Sequence, residues 1–373
     1  MALVRGIEIY SGTTAPLLTG SALPIVIVGT AQGALAAVNT ITKVTSTANA
    51  LAKFGTHTAG DTIPRSLEIL LRYGCNNIYV IRTTYSATPA TNETNLIGAD
   101  TAGARTGLYL VKDIPSKFNV YPAFVLVPGF NSDAVAVALD SVVNAVRGYG
   151  ILDATDGDTV AAVLTARDTA TGIGKKSERL IIAYPSLKRA SAPTIFEPLS
   201  VHIAGSVAKD GSYGKSTSSL TLLGVLEPSI TLSMSLTDEN SDTAKLNAKG
   251  VVTIIVDGNN YKTWGDRNAL YPSAMSDRSY ITVVRLEDAI MQRAIERARK
   301  FIDQPATVTT ALLAQASFNA MFYEMTAQGE IESGKATWNE ADSDLNAGKL
   351  KYELEANSIL PVGLIQIGLT IGV

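Results

Sequence analysis

The chain has 373 residues, of which 31 are basic and 34 acidic, so the formal net charge is -3. This length suggests two or three packed units, and the near-neutral charge argues against nucleic acid as a partner. The single cysteine, Cys75, excludes an intrachain disulfide and a cysteine-built metal site, and it suits folding in a reducing cytoplasm.

The sequence is poor in charged residues. Charged residues make up 17% of the sequence, compared with about 25% in a typical soluble chain. Either the core is unusually large, or part of the surface is covered by further copies of the chain. Two charge-free stretches, residues 9–42 and 356–373, predict no membrane insertion, because polar residues, prolines and glycines interrupt both.

The first 20 residues predict an extended arm. They mix polar and apolar residues and end in a Ser-Gly-Thr-Thr-Ala-Pro turn cluster. The alternation is imperfect, because Arg5 has the same parity as three apolar residues. The candidate strand-pairing residues of this arm are Leu3, Val4, Ile7 and Ile9.

Residues 21–210 alternate between buried strands and helices. The apolar run 24–29 predicts a strand buried on both faces, residues 66–73 a helix, and residues 78–81 the next strand. This order implies a parallel crossover and therefore an α/β domain with a parallel or mixed sheet and flanking helices. The later predictions for this domain are a strand at 123–127, a helix at 133–147, a strand at 179–184, and a linker or surface excursion at 86–105.

Residues 211–356 predict a C-terminal α+β domain. Strands are predicted at 250–257 and 281–284, and helices at 286–303 and 308–327. The first of these helices has an apolar stripe and a basic face. That basic face is either solvated or in contact with an acidic partner.

The last segment, residues 357–373, predicts a terminal strand. Apolar residues at odd positions alternate with uncharged polar residues and glycines from position 365 to the end. A strand of this kind needs a partner, because a free, uncharged edge promotes aggregation. That partner is either its own domain or a neighbouring subunit. The residues that would define its apolar face are Ile365, Ile367, Leu369, Ile371 and Val373.

Motifs for catalysis are weak throughout. Gly214-Lys215-Ser216 resembles the end of a phosphate-binding loop, but Lys209 stands where the first glycine of that motif is required. The two histidines, His57 and His202, are predicted to be solvated or hydrogen-bonded rather than catalytic. We therefore expect no enzymatic activity and no cofactor, although an enzyme with a Rossmann-like core remains an alternative.

Residues 246–268 contain an "LN..GV.TI" segment, a short turn and "WG.R". This pattern resembles the signature of contractile tail sheath proteins of phages and tailocins, with Asn268 in place of the family's threonine. Weaker matches occur in the family's order along nearly the whole chain, among them residues 25–31, 127–129, 182–185 and 301–305. The signature residues are Asn247, Gly250, Trp264, Gly265 and Arg267.

The resemblance implies an α/β core with extended arms at both ends. In this family the arms add strands to neighbouring subunits, so that hexameric rings are joined into a helical polymer around an inner tube. Contraction then rearranges the subunits as rigid bodies and drives the tube through a target envelope. The implied partners are the chain itself, the inner tail tube protein, the baseplate and the tail terminator. The implied location is the tail of a virion or a tail-like particle assembled in the bacterial cytoplasm.

The resemblance also places the contact with the tube on the C-terminal domain, between residues 286 and 328. Within that range the candidate contact residues are Arg293, Arg297 and Lys300. Another structural tail component, such as a baseplate or terminator protein, remains an alternative to a sheath subunit.

Overall fold

The computed structural model describes residues 23–155, 157–210, 216–235 and 237–360. The strands are β1 (Ile25–Thr30), β2 (Ile41–Val44), β3 (Ile78–Thr83), β4 (Phe124–Leu126), β5 (Tyr149–Asp153), β6 (Leu180–Ala183), β7 (Leu187–Arg189), β8 (Ala192–Glu197), β9 (Val225–Pro228), β10 (Val251–Asp257), β11 (Asn260–Trp264), β12 (Ile331–Trp338) and β13 (Tyr352–Ser358). The α-helices are α1 (Thr47–Phe54), α2 (Ile63–Arg72), α3 (Pro89–Ile97), α4 (Ile114–Phe118), α5 (Asp133–Val146), α6 (Val160–Arg167), α7 (Leu199–Asp210), α8 (Asp242–Ala248), α9 (Ile281–Ala298) and α10 (Val308–Ala327). Short 3-10 helices are Gly107–Asp113, Gly172–Gly174, Asp277–Ser279 and Arg299–Phe301.

An eight-stranded mixed sheet forms the main layer, in the order β11-β10-β6-β5-β4-β1-β3-β2. The six inner strands are parallel to one another, whereas the edge strands β2 and β11 pair antiparallel with β3 and β10. The chain runs from β1 to β3 in one direction and from β4 to β5 in the other. Because such crossovers are right-handed, α2 and α5 lie on opposite faces of the sheet. This arrangement confirms the predicted α/β class.

The inner strands form where the sequence is apolar at every position, so that both faces of the sheet can be buried. All six residues of β1, Ile25 to Thr30, are buried, as expected for a parallel sheet covered by helices on both sides. The helix α5 begins where the Ser132 hydroxyl accepts a hydrogen bond from the Val135 N–H at 3.3 Å. Its buried face then packs into the main core.

A second, smaller core lies at the C-terminal end of the described chain. It is formed by α9, α10 and the two-stranded antiparallel sheet of β12 and β13. Helix α9 belongs to both cores, because Ile281 and Val284 pack into the main core while Leu286 and Ile290 pack into the second. A single helix therefore connects the two hydrophobic centres.

Three predictions from the sequence need correction. Residues 281–284 are not a strand but the first turn of α9. The excursion at 86–105 contains α3, whose Leu96 is buried in the main core. The boundary predicted at residue 210 does not separate the two cores, because β10 pairs with β6 and extends the main sheet.

Candidate functional site

Two signature residues pair with each other at the junction of α8, β10 and β11. With the Asn247 amide oriented to satisfy its neighbours, its oxygen accepts a hydrogen bond from the Trp264 indole N–H at 2.9 Å. Its nitrogen donates to the carbonyl oxygens of Val251 at 2.9 Å and Trp264 at 3.0 Å. Asn247 thus connects the end of a helix to two adjacent strands.

The two signature glycines are required by close backbone contacts. Gly250 has a φ of 69°, and a Cβ there would lie 2.8 Å from the Tyr271 carbonyl oxygen. Gly265 has a φ of 125°, and a Cβ there would lie 2.7 Å from the Asn247 side chain. At both positions a larger residue would combine backbone strain with a steric clash.

The fifth signature residue, Arg267, stacks between two tyrosines. Its guanidinium carbon lies 3.5 Å from the ring centre of Tyr280 and 4.7 Å from that of Tyr271. It also donates hydrogen bonds to the Ser279 hydroxyl at 2.5 Å and the Tyr280 hydroxyl at 2.7 Å. These contacts join the edge of the sheet to the segment that leads into α9.

A cavity of about 510 Å³ beside them is lined by Asn247, Trp264, Gly265 and Arg267.

Asp266 adds a buried acceptor to the same junction. Its carboxylate accepts hydrogen bonds from the Thr217 N–H at 3.1 Å, the Thr217 hydroxyl at 2.7 Å and the Thr282 hydroxyl. Burial raises the pKa of Asp266, and these donors oppose that rise. The residue therefore holds the first turn of α9 against the main domain.

Asn268 shows why a departure from the family pattern is tolerated. Its side-chain nitrogen donates to the carbonyl oxygens of Glu178 at 3.0 Å and Arg278 at 2.7 Å, and its side-chain oxygen accepts from the Leu270 N–H at 3.2 Å. The side chain is fully buried. A threonine has one hydroxyl donor and cannot satisfy both carbonyl groups.

We therefore expect Asn268→Thr to lower the free energy of unfolding by about 1–3 kcal/mol, since one partly buried carbonyl group loses its donor. Urea unfolding of the unassembled chain measures this change, and Asn346→Thr in the exposed loop between β12 and β13 is the matched control. Equal stability of the two variants would contradict this role for Asn268.

Arg167 lies beneath the signature residues and was not predicted from the sequence. Its fully buried guanidinium donates to the carbonyl oxygens of Ile173 at 2.6 Å, Lys249 at 2.9 Å, and Ala269 and Tyr271 both at 3.0 Å. Burial lowers the pKa of Arg167 to about 10. One side chain thus holds three separate backbone segments together.

A buried ion pair connects the sheet to the middle of α9. Arg179 donates two hydrogen bonds to the Asp288 carboxylate, at 2.5 and 2.9 Å, and both side chains are almost completely buried. Burial raises the pKa of Asp288, although the Arg179 guanidinium opposes this effect. The Tyr149 hydroxyl also donates to the Ile281 carbonyl oxygen at 3.3 Å. The orientation of α9 relative to the sheet is therefore fixed by polar contacts as well as by packing.

The candidate tube-contact residues differ in their surroundings. Arg293 forms a two-bond ion pair with Glu330, at 2.5 and 3.1 Å, and Arg297 donates to Glu324 at 2.5 Å. Both arginines are thus engaged with α10 and the start of β12 in their own chain. Lys300 is exposed.

His202 belongs to a buried polar cluster and not to an accessible site. Its Nε2 lies 2.9 Å from the Glu197 carboxylate, and its Nδ1 lies 3.0 Å from the Tyr73 hydroxyl. Arg72 and Arg189 also donate to Glu197. Burial of the Glu197 carboxylate acts to raise its pKa. The hydrogen bonds from His202 and Arg72 outweigh this effect and lower the pKa of Glu197 well below its usual value. The cluster ties α2 and α7 to the sheet of β7, β8 and β9.

Among the residues with described positions, no group of three His, Cys, Asp or Glu side chains could hold a metal ion. None of the helices in the described ranges has the length and apolar character needed to cross a bilayer. The predicted pairing residues of the two arms, at positions 3–9 and 365–373, lie outside the described residues, so their pairing stays a prediction.

The distinctive residues of the signature junction hold separate elements of the chain together. The family model for the phage tail sheath protein central domain matches residues 71–269, more than half of the chain. The chain belongs to this family.

Curated relatives include phage and prophage sheath proteins. A tail sheath protein of Burkholderia phage BcepMu is 28% identical over 270 residues, covering 69% of this chain and 57% of that protein. The chain thus spans little more than half the length of this relative. A putative prophage major tail sheath protein of Pseudomonas aeruginosa is 27% identical over 332 residues, covering 85% of this chain and 82% of that protein.

Solved structures share the fold over almost the whole chain. The contracted baseplate of the anti-feeding prophage contains a chain with a TM-score of 0.74 and 19% identity, covering 99% of this chain and 98% of its own. The contracted sheath complex of the extracellular contractile injection system PVC gives a TM-score of 0.68 and 17% identity, with the same coverage. These neighbours confirm that the resemblance in the sequence extends to the three-dimensional fold.

Proposed function

We propose that the chain polymerises helically around an inner tube and that contraction of this polymer drives the tube through a target envelope. In this role the chain is a building block without catalytic activity. Its partners are further copies of itself, the inner tube protein, the baseplate and the tail terminator, and assembly takes place in the bacterial cytoplasm. Family membership supports this proposal, and the structural neighbours belong to baseplate and sheath assemblies.

The observation that carries the proposal is the outer edge of β13, with which no other described strand pairs. Ala336 of β12 turns its N–H and C=O toward the Asn319 side chain of α10, at 2.7 and 3.2 Å. The outer edge of β12 is therefore covered. Residues directly opposite in an antiparallel pair share this orientation. Leu354 and Ala356, which pair with Ala336 and Gly334, thus point their backbone groups outward.

An incoming strand can complete this edge. Within the described part of the chain, the outward backbone groups of Leu354 and Ala356 form no hydrogen bond. One face of β13 packs on the second core through Tyr352 and Leu354, while Glu353 on the other face is exposed. The alternating segment 365–373 of a neighbouring copy suits such an edge, because its apolar side chains would extend the packed face.

Ala356→Pro tests this edge directly. Proline removes one outward N–H and leaves the β12–β13 hydrogen bonds in place. We expect this variant to fold and to lose polymer formation, whereas the matched variant Ala356→Val keeps the N–H and assembles. Electron microscopy and sedimentation measure the polymer. Sleeves of normal length from a folded Ala356→Pro chain would argue against strand addition at β13.

The tube contact is proposed on the exposed face of α10. Leu312, Leu313 and Tyr323 of this helix are 51%, 44% and 82% exposed. The one charged residue in α10, Glu324, is paired with Arg297. Because Arg293 and Arg297 are held in ion pairs within their own chain, the uncharged face of α10 is a better candidate for the tube contact than these two arginines. Lys300 adds an exposed cation near the end of α9.

A further inference from the structure

The hydrogen bonds of His202 assign the position of its proton. Its Nε2 lies 2.9 Å from the Glu197 carboxylate, which accepts hydrogen bonds but donates none, so Nε2 carries the proton. The Nδ1 atom of the same ring is then an acceptor, and the Tyr73 hydroxyl donates to it at 3.0 Å. The hydroxyl oxygen in turn accepts from the Leu223 N–H at 3.0 Å. These contacts describe a neutral imidazole in the Nε2–H form.

A second proton on this ring would lack a free counter-charge. The Glu197 carboxylate already accepts two hydrogen bonds from Arg72, at 2.9 and 3.1 Å, and one from Arg189 at 2.6 Å. Arg189 also donates twice to Glu68. The two arginines and the two glutamates balance in charge, so an imidazolium would add an unbalanced charge to a fully buried ring. Burial lowers the pKa of His202, the Glu197 carboxylate opposes this effect, and the arginines add to it.

The other elements packed against α7 contribute few titratable groups. Strands β4 and β6 contain none. On β5, the Asp153 carboxylate accepts hydrogen bonds from the N–H and hydroxyl of Ser200, at 2.8 and 2.5 Å. Beyond the end of α2, burial raises the pKa of the Cys75 thiol, which faces α7, to about 12, and it also raises the pKa of Tyr73. His202 is therefore the group in this cluster whose ordinary pKa lies closest to neutrality.

The same cluster holds the backbone that leads into β9. The Leu223 N–H donates to the Tyr73 hydroxyl, and the Leu223 carbonyl oxygen accepts from Arg72 at 3.1 Å. The next residue, Gly224, has a φ of 72°, and a Cβ there would lie 2.5 Å from the Arg72 guanidinium. This backbone is thus fitted closely to the cluster. A rearrangement of the cluster therefore reaches the sheet of β7, β8 and β9.

We propose that His202 is an acid sensor whose protonation releases the backbone before β9 from α2. A proton on Nδ1 removes the acceptor of the Tyr73 hydroxyl and sets two donors face to face, so the hydroxyl turns and the hydrogen bond from the Leu223 N–H is weakened. An unfolded histidine takes up this proton near pH 6.5, whereas the folded chain resists it. The stabilising effect is therefore complete above that pH and is lost progressively as the pH falls below it. This inference goes beyond the proposed assembly and does not depend on it.

Hydrogen exchange at the Leu223 amide measures the release in the unassembled chain. The protection factor compares its exchange rate with that of an unfolded peptide at the same pH. We expect this factor to fall at least about tenfold between pH 7.5 and pH 5.0, within the limit of about tenfold per pH unit that one proton sets. Because its hydrogen bonds hold the pKa of Glu197 below the usual value, the contribution of that carboxylate is lost only below about pH 4.3, outside this range.

Two histidine variants assign the effect. His202→Gln keeps a donor for Glu197 but has no titratable ring, so we expect the protection at Leu223 to be independent of pH over this range. His57→Gln removes the other histidine of the sequence and should keep the pH dependence of the parent. Equal protection at both pH values in the parent, or the full decline in His202→Gln, would overturn the proposal.

Nuclear magnetic resonance of the parent chain gives a second measurement, which holds even if His202→Gln does not fold. The sequence contains two histidines, so labelling their ring nitrogens with ¹⁵N gives two sets of resonances. We expect the His202 set to show the Nε2–H form at pH 7 and to titrate below pH 6.5. A His202 ring that carries its proton on Nδ1, or that titrates at or above pH 6.5, would contradict the proposal. Neither result bears on strand addition at β13.

Discussion

Replacing Arg167 with methionine is expected to lower the free energy of unfolding by at least about 4 kcal/mol. Methionine is similar in length but donates no hydrogen bond, so four carbonyl oxygens, two of them in buried and two in partly buried hydrogen bonds, lose their partner. Each unsatisfied buried group costs about 1–3 kcal/mol. Urea unfolding of the unassembled chain, followed by the fluorescence of its two tryptophans, measures the loss.

Two variants control this experiment. Arg167→Lys keeps the positive charge but cannot reach four acceptors with one ammonium group, so its stability should lie between those of the parent and Arg167→Met. Lys300→Ala removes an exposed charge, and we expect it to change stability by less than about 0.5 kcal/mol. A methionine variant as stable as the Lys300→Ala control would show that Arg167 does not hold the junction together.

Deleting residues 363–373 is expected to abolish polymer formation while the core remains folded. The deleted segment alternates apolar and uncharged residues, and its backbone groups would otherwise pair with β13 of a neighbouring copy. Sedimentation measures assembly, and thermal unfolding measures the core. Leu369→Pro, which interrupts the strand, should behave like the deletion, whereas the matched variant Leu369→Val should assemble.

The two other possible outcomes of the deletion would lead to different conclusions about the C-terminal strand. A truncated chain that still assembles into sleeves would exclude donation of the C-terminal strand. A truncated chain that no longer folds would place the strand within its own core. The Ala356→Pro variant separates these cases, because it alters the acceptor edge and leaves the donor strand complete.

The sequence predicted the inner strands of the sheet well and the edge strands poorly. A continuous apolar run such as residues 25–30 has few alternatives to a buried strand. Strand β13 was missed, although its residues Tyr352 and Leu354 alternate with two exposed glutamates. The run 281–284 is rich in β-branched residues and was predicted as a strand, yet it begins α9 because packing against both cores overrides local preference.

The signature residues illustrate a different limit. Their pattern identified the family, but the roles of Asn247 and Gly265 follow only from the contacts between α8 and the two strands that they join. No sequence pattern indicated the role of Arg167, since its four acceptors are backbone carbonyl groups that come together only in the folded chain. The ion pairs of Arg293 and Arg297 could not be predicted either, because Glu330 and Glu324 lie 37 and 27 residues away in sequence.

The most direct test is a density map of the assembled polymer at a resolution that traces the backbone of each copy. The account predicts a strand beside β13 that can be followed through unbroken density into an adjoining molecule. A map in which the segment beyond Leu360 turns back and pairs within the same molecule, with no segment crossing between copies, would contradict it.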